Sequence, residues 1–457
     1  MATISRVGTG VLLLGGLSLG ALMVYTLIGL GGVGNPTGRT DGVADIAVFF
    51  YDRVDWLDFR QGIAACAHKG LVRPVHEAET EVVVQTPHRQ RPIRFTWHPV
   101  RGVGQTRAEV RRLATRPDPA LAVVGSDNTY WTTVLAEELR ASTGSDHDQG
   151  PVLLVPWATA LRVEPTDGRG DAVPLLGIYP GRTFRFCMNS RRQADLVVRC
   201  MVRHDPDRSP ARVLMVVDQT DPYSVDMADN FRDAVAAIVT KTEVVEADGD
   251  LAFPDLYDVR AARWAEDVWR AVREVPDGRP TWLVLPLQGD PARRLIQALR
   301  TQGRSVPEAE AARLDVVCGD GIGLETLSEL AGTQPFAVWA VSSATIHGPG
   351  AEIGPDAQVL AELVATIADR IDRAAEVVGF DLRAALTRLD VLSDDPAAVA
   401  GRSLEFDRKG ERVGDDLGHV LLSGPRQTEV LAFERGNGGT WPEPLAMPPA
   451  SLEARLR

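Results

Sequence analysis

Over most of the chain, short apolar runs alternate with longer stretches in which apolar positions recur every three or four residues. The runs Ala44–Phe50, Glu81–Gln85, Ile93–Trp97, Leu121–Gly125, Val152–Val155, Val213–Val217, Thr242–Val245, Trp282–Leu285, Val316–Cys318 and Ala337–Val341 predict strands. Several are apolar throughout, which predicts strands covered on both faces. Between them, Arg107–Thr115, Trp131–Ser142, Arg192–Arg203, Met227–Thr240, Ala261–Val275 and Pro291–Gln302 carry helical spacing. Repeated strand-then-helix order predicts parallel, doubly wound sheets with right-handed crossovers.

So many units exceed one sheet. Two α/β lobes are expected within residues 43–435, with a crossover near Gly181–Arg185. The division places residues 43–181 and 338–392 in the first lobe, and 182–337 and 393–435 in the second. Gly-, Pro- and Asp-rich stretches at Asp146–Gly150, Pro165–Val173 and His347–Pro355 are expected as surface loops, and 436–457 as a peripheral tail.

The first 34 residues break the pattern. No charged residue occurs from Val7 to Gly34. At about 1.5 Å per residue, a helix of roughly 28 residues exceeds the ~30 Å hydrocarbon thickness of a bilayer. A cleaved secretory signal normally has an apolar region of about 7–15 residues. The longer run here, without a clean small-x-small site after it, predicts a retained single-pass anchor over 1–34, with 35–42 as linker. A cleaved signal is the alternative, and both readings export the body of the chain. Arg6 before the run, against Arg39 balanced by Asp41 after it, favours a cytoplasmic N-terminus.

The formal net charge of -13 over 457 residues, with Arg scattered among Asp and Glu, excludes a nucleic-acid partner. Cys66, Cys187, Cys200 and Cys318 fit no zinc spacing and are expected as buried free thiols. The eight His residues are dispersed, and His147 between Asp146 and Asp148 reads as a solvated loop. No phosphate loop, nucleophile elbow or zinc helix occurs. Gly319-Asp-Gly-Ile-Gly323 has the wrong spacing for a dinucleotide site, and Asp320 would repel a pyrophosphate. Neither metal, cofactor nor catalytic group is expected.

In open α/β sheets ligands bind beyond the carboxyl ends of the strands. Three such ends carry polar groups: Ser126-Asp-Asn-Thr129 before a helix start, Pro156-Trp-Ala-Thr159, and Gly319-Asp-Gly321. A helix start holds an anion through its free N–H groups, and Asp320 suits an ammonium, so the set suits a zwitterion. The plain alternative is that Ser126, Asp127 or Thr129 caps the helix, which is compatible with binding. Each Trp, including Trp131 and Trp157, is by default a core residue.

Six stretches, in order, resemble the type I periplasmic-binding family, in particular its Leu/Ile/Val-binding branch. They are Ala122-Val-Val-Gly125, Pro151 through Thr159, Thr183-Phe-Arg-Phe with Gln193-Ala194, Arg212 through Asp218 with Tyr223, Gly319 through Gly323 with Leu327–Gly332, and Leu404 through Gly410. The resemblance implies a two-lobed, hinged fold over most of 44–430. It also implies a ligand carboxylate near Asn128, Thr129, Ala158 and Thr159, a cleft aromatic at Tyr223, and an ammonium partner at Asp320. Trp157 stands where the family has a small residue, Pro222 and Ser224 flank Tyr223, and Leu287 and Gln288 occupy the place of a second aromatic.

The resulting expectation is a non-enzymatic, extracytoplasmic solute-binding protein, taking a small polar or zwitterionic ligand such as an amino acid, and working with an ABC permease. The alternative is an anchored sensor or scaffold of the same fold that binds an envelope partner.

Overall fold

The computed structural model describes residues 42–144, 150–168, 170–205, 209–236, 242–247, 254–275, 278–322, 334–342, 355–374, 381–387, 405–406, 409, 411–413, 418–423, 428–433 and 445–447. The expected anchor over 1–34, the linker up to 41, the 146–149 loop, the 327–332 motif, most of 404–410 and most of the tail lie outside them. Among the described residues no helix is long and apolar enough to cross a membrane. The described residues from Val43 onward form one compact unit.

The first lobe is built from β1 (Ala44–Phe49), α1 (Arg53–His68), β2 (Arg73–Glu77), β3 (Glu81–Gln85), β4 (Pro92–Trp97), α2 (Val103–Thr115), β5 (Ala122–Gly125), α3 (Thr129–Thr143), β6 (Val152–Val155) and β7 (Thr183–Arg185). Its sheet has the order β2-β3-β4-β1-β5-β6-β7. β1 pairs in parallel with β4 and β5, β5 with β6 and β6 with β7, while β2, β3 and β4 are mutually antiparallel neighbours. Alternation sorts the apolar strand residues to two faces. Ile46, Val48, Val124 and Leu154 join Trp56, Phe59 and Ile63 of α1, whereas Ala47, Phe49, Val123 and Val155 join Leu135 and Leu139 of α3.

The second lobe follows with α4 (Ser190–His204), β8 (Arg212–Asp218), α5 (Pro222–Ala236), β9 (Thr242–Ala247), α6 (Pro254–Glu274), β10 (Thr281–Leu285), α7 (Gly289–Gly303), β11 (Leu314–Cys318) and β12 (Ala337–Ser342). α8 (Pro355–Arg373) then returns to pack on α1, and α9 (Leu382–Thr387) follows it. β13 (Gly418–Ser423), β14 (Thr428–Phe433) and β15 (Leu445–Met447) complete the second sheet, whose order is β9-β8-β10-β11-β12-β13-β14-β15.

Three expectations change. The sheets are mixed: β12 to β15 pair antiparallel, as do β2 to β4. β7 hydrogen-bonds to β6 and β12 to β11, so the first lobe continues past residue 181 and the second past 337. Part of the Pro- and Gly-rich tail is structural, because β15 closes the second sheet's edge against β14. All four cysteines are buried and free, as expected.

Candidate functional site

The carboxyl ends of both sheets converge on one junction. Ser190, which opens α4 in the second lobe, donates from its N and Oγ to Thr159 O in the first, at 2.9 and 3.0 Å. Arg185 at the end of β7 is fully buried and donates to Thr159 O at 3.2 Å and Ala160 O at 2.6 Å. Its guanidinium also pairs with Glu411 at 3.2 Å. From the second lobe, Asp226 on α5 accepts from Leu161 N and Arg162 N, both at 2.9 Å. The loop after β6 is therefore fastened to both lobes, and neither Arg185 nor Asp226 was singled out from sequence.

The first-lobe residues resolve into distinct roles. Asn128 is the N-cap of α3, accepting from Trp131 N at 2.9 Å. Capping thus falls to Asn128, not to Ser126, Asp127 or Thr129. Thr132 Oγ1 accepts from Ser126 N at 3.0 Å and donates to Asn128 O at 2.9 Å, which pins the loop. With the cap supplied by a neighbour, Thr129 Oγ1 is buried and bonded to nothing. Thr159 Oγ1 and Trp157 Nε1 are buried and unpartnered as well. Ala158 is wholly buried among apolar side chains of its lobe, so only its backbone is available to a ligand. Trp157 is half-buried, its ring centroid 5.1 Å from that of Phe50.

In the second lobe the expected cleft aromatic is displaced. Tyr223 is 2% exposed and belongs to the core beside α4 and β8. Its hydroxyl donates toward Asp320 Oδ1 at 3.4 Å and accepts from Gly321 N at 3.3 Å. A Cβ at Gly319 would lie 2.4 Å from that hydroxyl, which is why a glycine stands there. Tyr223 is a prop beneath the loop, not a wall. Gln193 completes the support, accepting from Asp320 N at 3.1 Å and donating to Met188 O at 3.1 Å. Gly319–Ile322 is a tight turn after β11, and Asp320 is half-buried on it. Leu287 sits in the second-lobe core.

Charge at these strand ends is one-sided. Asp52 caps α1, accepting from Val54 N at 2.7 Å and Asp55 N at 3.1 Å. Burial, then the Asp52 and Asp127 carboxylates, push Asp55 up to about 7. Burial raises Asp127 too, against the Ser126 hydroxyl that donates to it. After β8, burial first and Asp218 less strongly push Asp221 up to about 6. Asp52 and Asp55 stand at the carboxyl end of β1, a strand end of the same kind whose acids the sequence reading left out.

No protein-family model and no curated protein sequence matches the chain. Solved structures do. LivJ of Streptococcus pneumoniae, a branched-chain amino acid transporter substrate-binding protein in complex with isoleucine, is 14% identical with a TM-score of 0.56, covering 86% of this chain and 99% of its own. A solute-binding protein of an ABC transporter from Rhodopseudomonas palustris HaA2, in complex with p-hydroxybenzoic acid, is 11% identical with a TM-score of 0.56, covering 88% and 96%. An ABC transporter substrate-binding protein of Aeropyrum pernix is 10% identical with a TM-score of 0.56, covering 91% and 99%. The chain has the type I periplasmic-binding fold. At these identities the likeness is one of fold. Within a type I periplasmic-binding fold, the unpartnered Thr129, Trp157 and Thr159 atoms and the Asp320 turn lie at the strand ends where α/β sheets take ligands.

Proposed function

We propose that this chain is a solute-binding receptor that works outside the cytoplasm and is not an enzyme. Its lobes close by hinge motion on a small molecule held between the carboxyl ends of the two sheets. The observation that carries this reading is the set of buried, unpartnered polar atoms on Thr129, Thr159 and Trp157. An orphaned buried polar group costs about 1–3 kcal/mol, which a ligand hydrogen bond removes. The apolar stretch from Val7 to Gly34 tethers the receptor to the membrane, and an ABC permease is its natural partner.

Titration calorimetry of the full chain in detergent, against amino acids, aromatic acids and amines, tests the binding role. Saturable heat with at least one compound is expected, weakened by Thr129→Val and Thr159→Val. Absence of heat across the panel would sink it. The second reading, an anchored sensor that serves no permease, draws on the same apolar run, since a tethered receptor does not diffuse to a transporter. Co-purification of a permease with the native chain separates the two.

A further inference from the structure

The loops after β1 and β5 lie side by side, because Phe49 is paired with Gly125 in the sheet. Asp52 and Asp55 stand on the first loop and the opening turn of α1, and Asp127 on the second. Among the described residues none of these three carboxylates has an ion-pair partner. A nearby acid does: Glu79, between β2 and β3, pairs with Arg53 at 3.3 Å. Arg53, next to Asp52 in the chain, is thus turned away to Glu79. The acids at the strand ends are left to face one another.

Two further features give that arrangement a ligand. Thr129 is 1% exposed with its hydroxyl unbonded, and a side chain in the first helical turn tilts toward the helix start, here the Asp127 loop. Trp157 follows β6 and its ring reaches Phe50 at the end of β1. β5 lies between those two strands, so the ring crosses the end of β5, where Asp127 sits. An aromatic face beside carboxylates is an arrangement that takes organic cations. No group of three or more potential metal ligands converges among the described residues, which favours an organic cation over a metal ion.

We propose that the cleft takes an organic cation without a carboxylate, an amine or guanidinium compound, with its charge at Asp55 and Asp127, its carbon skeleton on Trp157, and Asp320 across the cleft. The inference rests on the solute-binding reading above and replaces the zwitterion expected from sequence. A ligand carboxylate at the α3 start would meet Asp127, whereas an ammonium there is drawn in by two carboxylates.

The test is calorimetry of the full chain in detergent with putrescine, agmatine, leucine and 4-hydroxybenzoate. The two amines are expected to bind, and Asp127→Asn and Asp55→Asn each to weaken them about tenfold or more. The surface variant Asp229→Asn is the control and should leave affinity unchanged. Because Asp55 ionises only near 7, with Asp52, Asp58 and Asp127 as its charged neighbours, amine affinity should rise about tenfold between about pH 6 and pH 8. That measurement needs no variant. Leucine or 4-hydroxybenzoate binding while the amines do not, or amine affinity flat with pH and unmoved by either variant, would overturn the cation while leaving the receptor reading intact. No heat with any compound would overturn both.

Discussion

Asp55 carries a consequence for stability as well as for binding. Its pKa is raised from 3.8 to about 7 in the folded chain, first by burial and then by Asp52 and Asp127. Between those values the folded state holds a proton that the unfolded state has released, so this group's contribution to stability falls as pH rises through the window. Asp221, pushed to about 6 mainly by burial, acts in the same direction. The melting temperature of the unliganded chain is therefore expected to decline from pH 5 toward pH 8, and Asp55→Asn to flatten that decline. Parallel pH profiles for the two proteins in thermal denaturation would contradict it.

At the same scale, the sequence was informative where a rule about strand ends could be applied and misleading where proximity had to be guessed. Asn128, Thr129, Thr159 and Asp320 were legible because they follow apolar strands. Tyr223 was placed on the cleft wall by resemblance, yet the turn at Gly319–Gly321 needs a hydroxyl beneath it, and that draws the ring into the core. Asp226 was invisible, and Arg185, though within a quoted motif, was given no role, since both fasten backbone groups of residues 159–162, which no side-chain pattern reveals.

Among the elements, α1 and α8 approach each other closely at one residue, Gly62. A Cβ at Gly62 would lie 2.8 Å from Ala357 O and 2.9 Å from Ala361 N, both backbone atoms that cannot rotate aside. Gly62→Ala should push the helices apart and cost about 1–3 kcal/mol, read as a lower midpoint in chemical denaturation. An unchanged midpoint would show that the helix pair has slack. The sequence division had already returned residues 338–392 to the first lobe, although it did not single out this helix pair. The strands missed in sequence were missed for different reasons. β13 and β14 do carry apolar runs, Val420–Leu422 and Val430–Phe433, and were passed over. β2 is exposed along its whole length and β7 has three residues, so neither carries an apolar run. β15 lies within a stretch whose Pro and Gly content reads as coil. The long parallel strands, buried on both faces, were legible almost to the residue.

For the whole molecule, the fastening of one loop to both lobes is the feature that sets how they move. Asp226 reaches from α5 in the second lobe to Leu161 N and Arg162 N after β6 of the first. Asp226→Ala leaves two backbone donors without their acceptor, at a cost of about 1–3 kcal/mol for each one left buried. We expect a melting temperature lower by several degrees and a broader distribution of interlobe distances in small-angle scattering. A variant with unchanged melting and scattering would show that the loop is held by Ser190 and Arg185 alone.

The outer edge of the first sheet has its own bearing on how the molecule lives beside copies of itself. β2 is exposed along its length, carries Arg73, Pro74, His76 and Glu77, and slips register against β3 between Pro74 and His76. A bare strand edge invites another chain to add on, and charge, proline and a bulge each spoil the template. Copies at high concentration would meet edge to edge often. β2 lets those encounters end in separation instead of a growing ribbon.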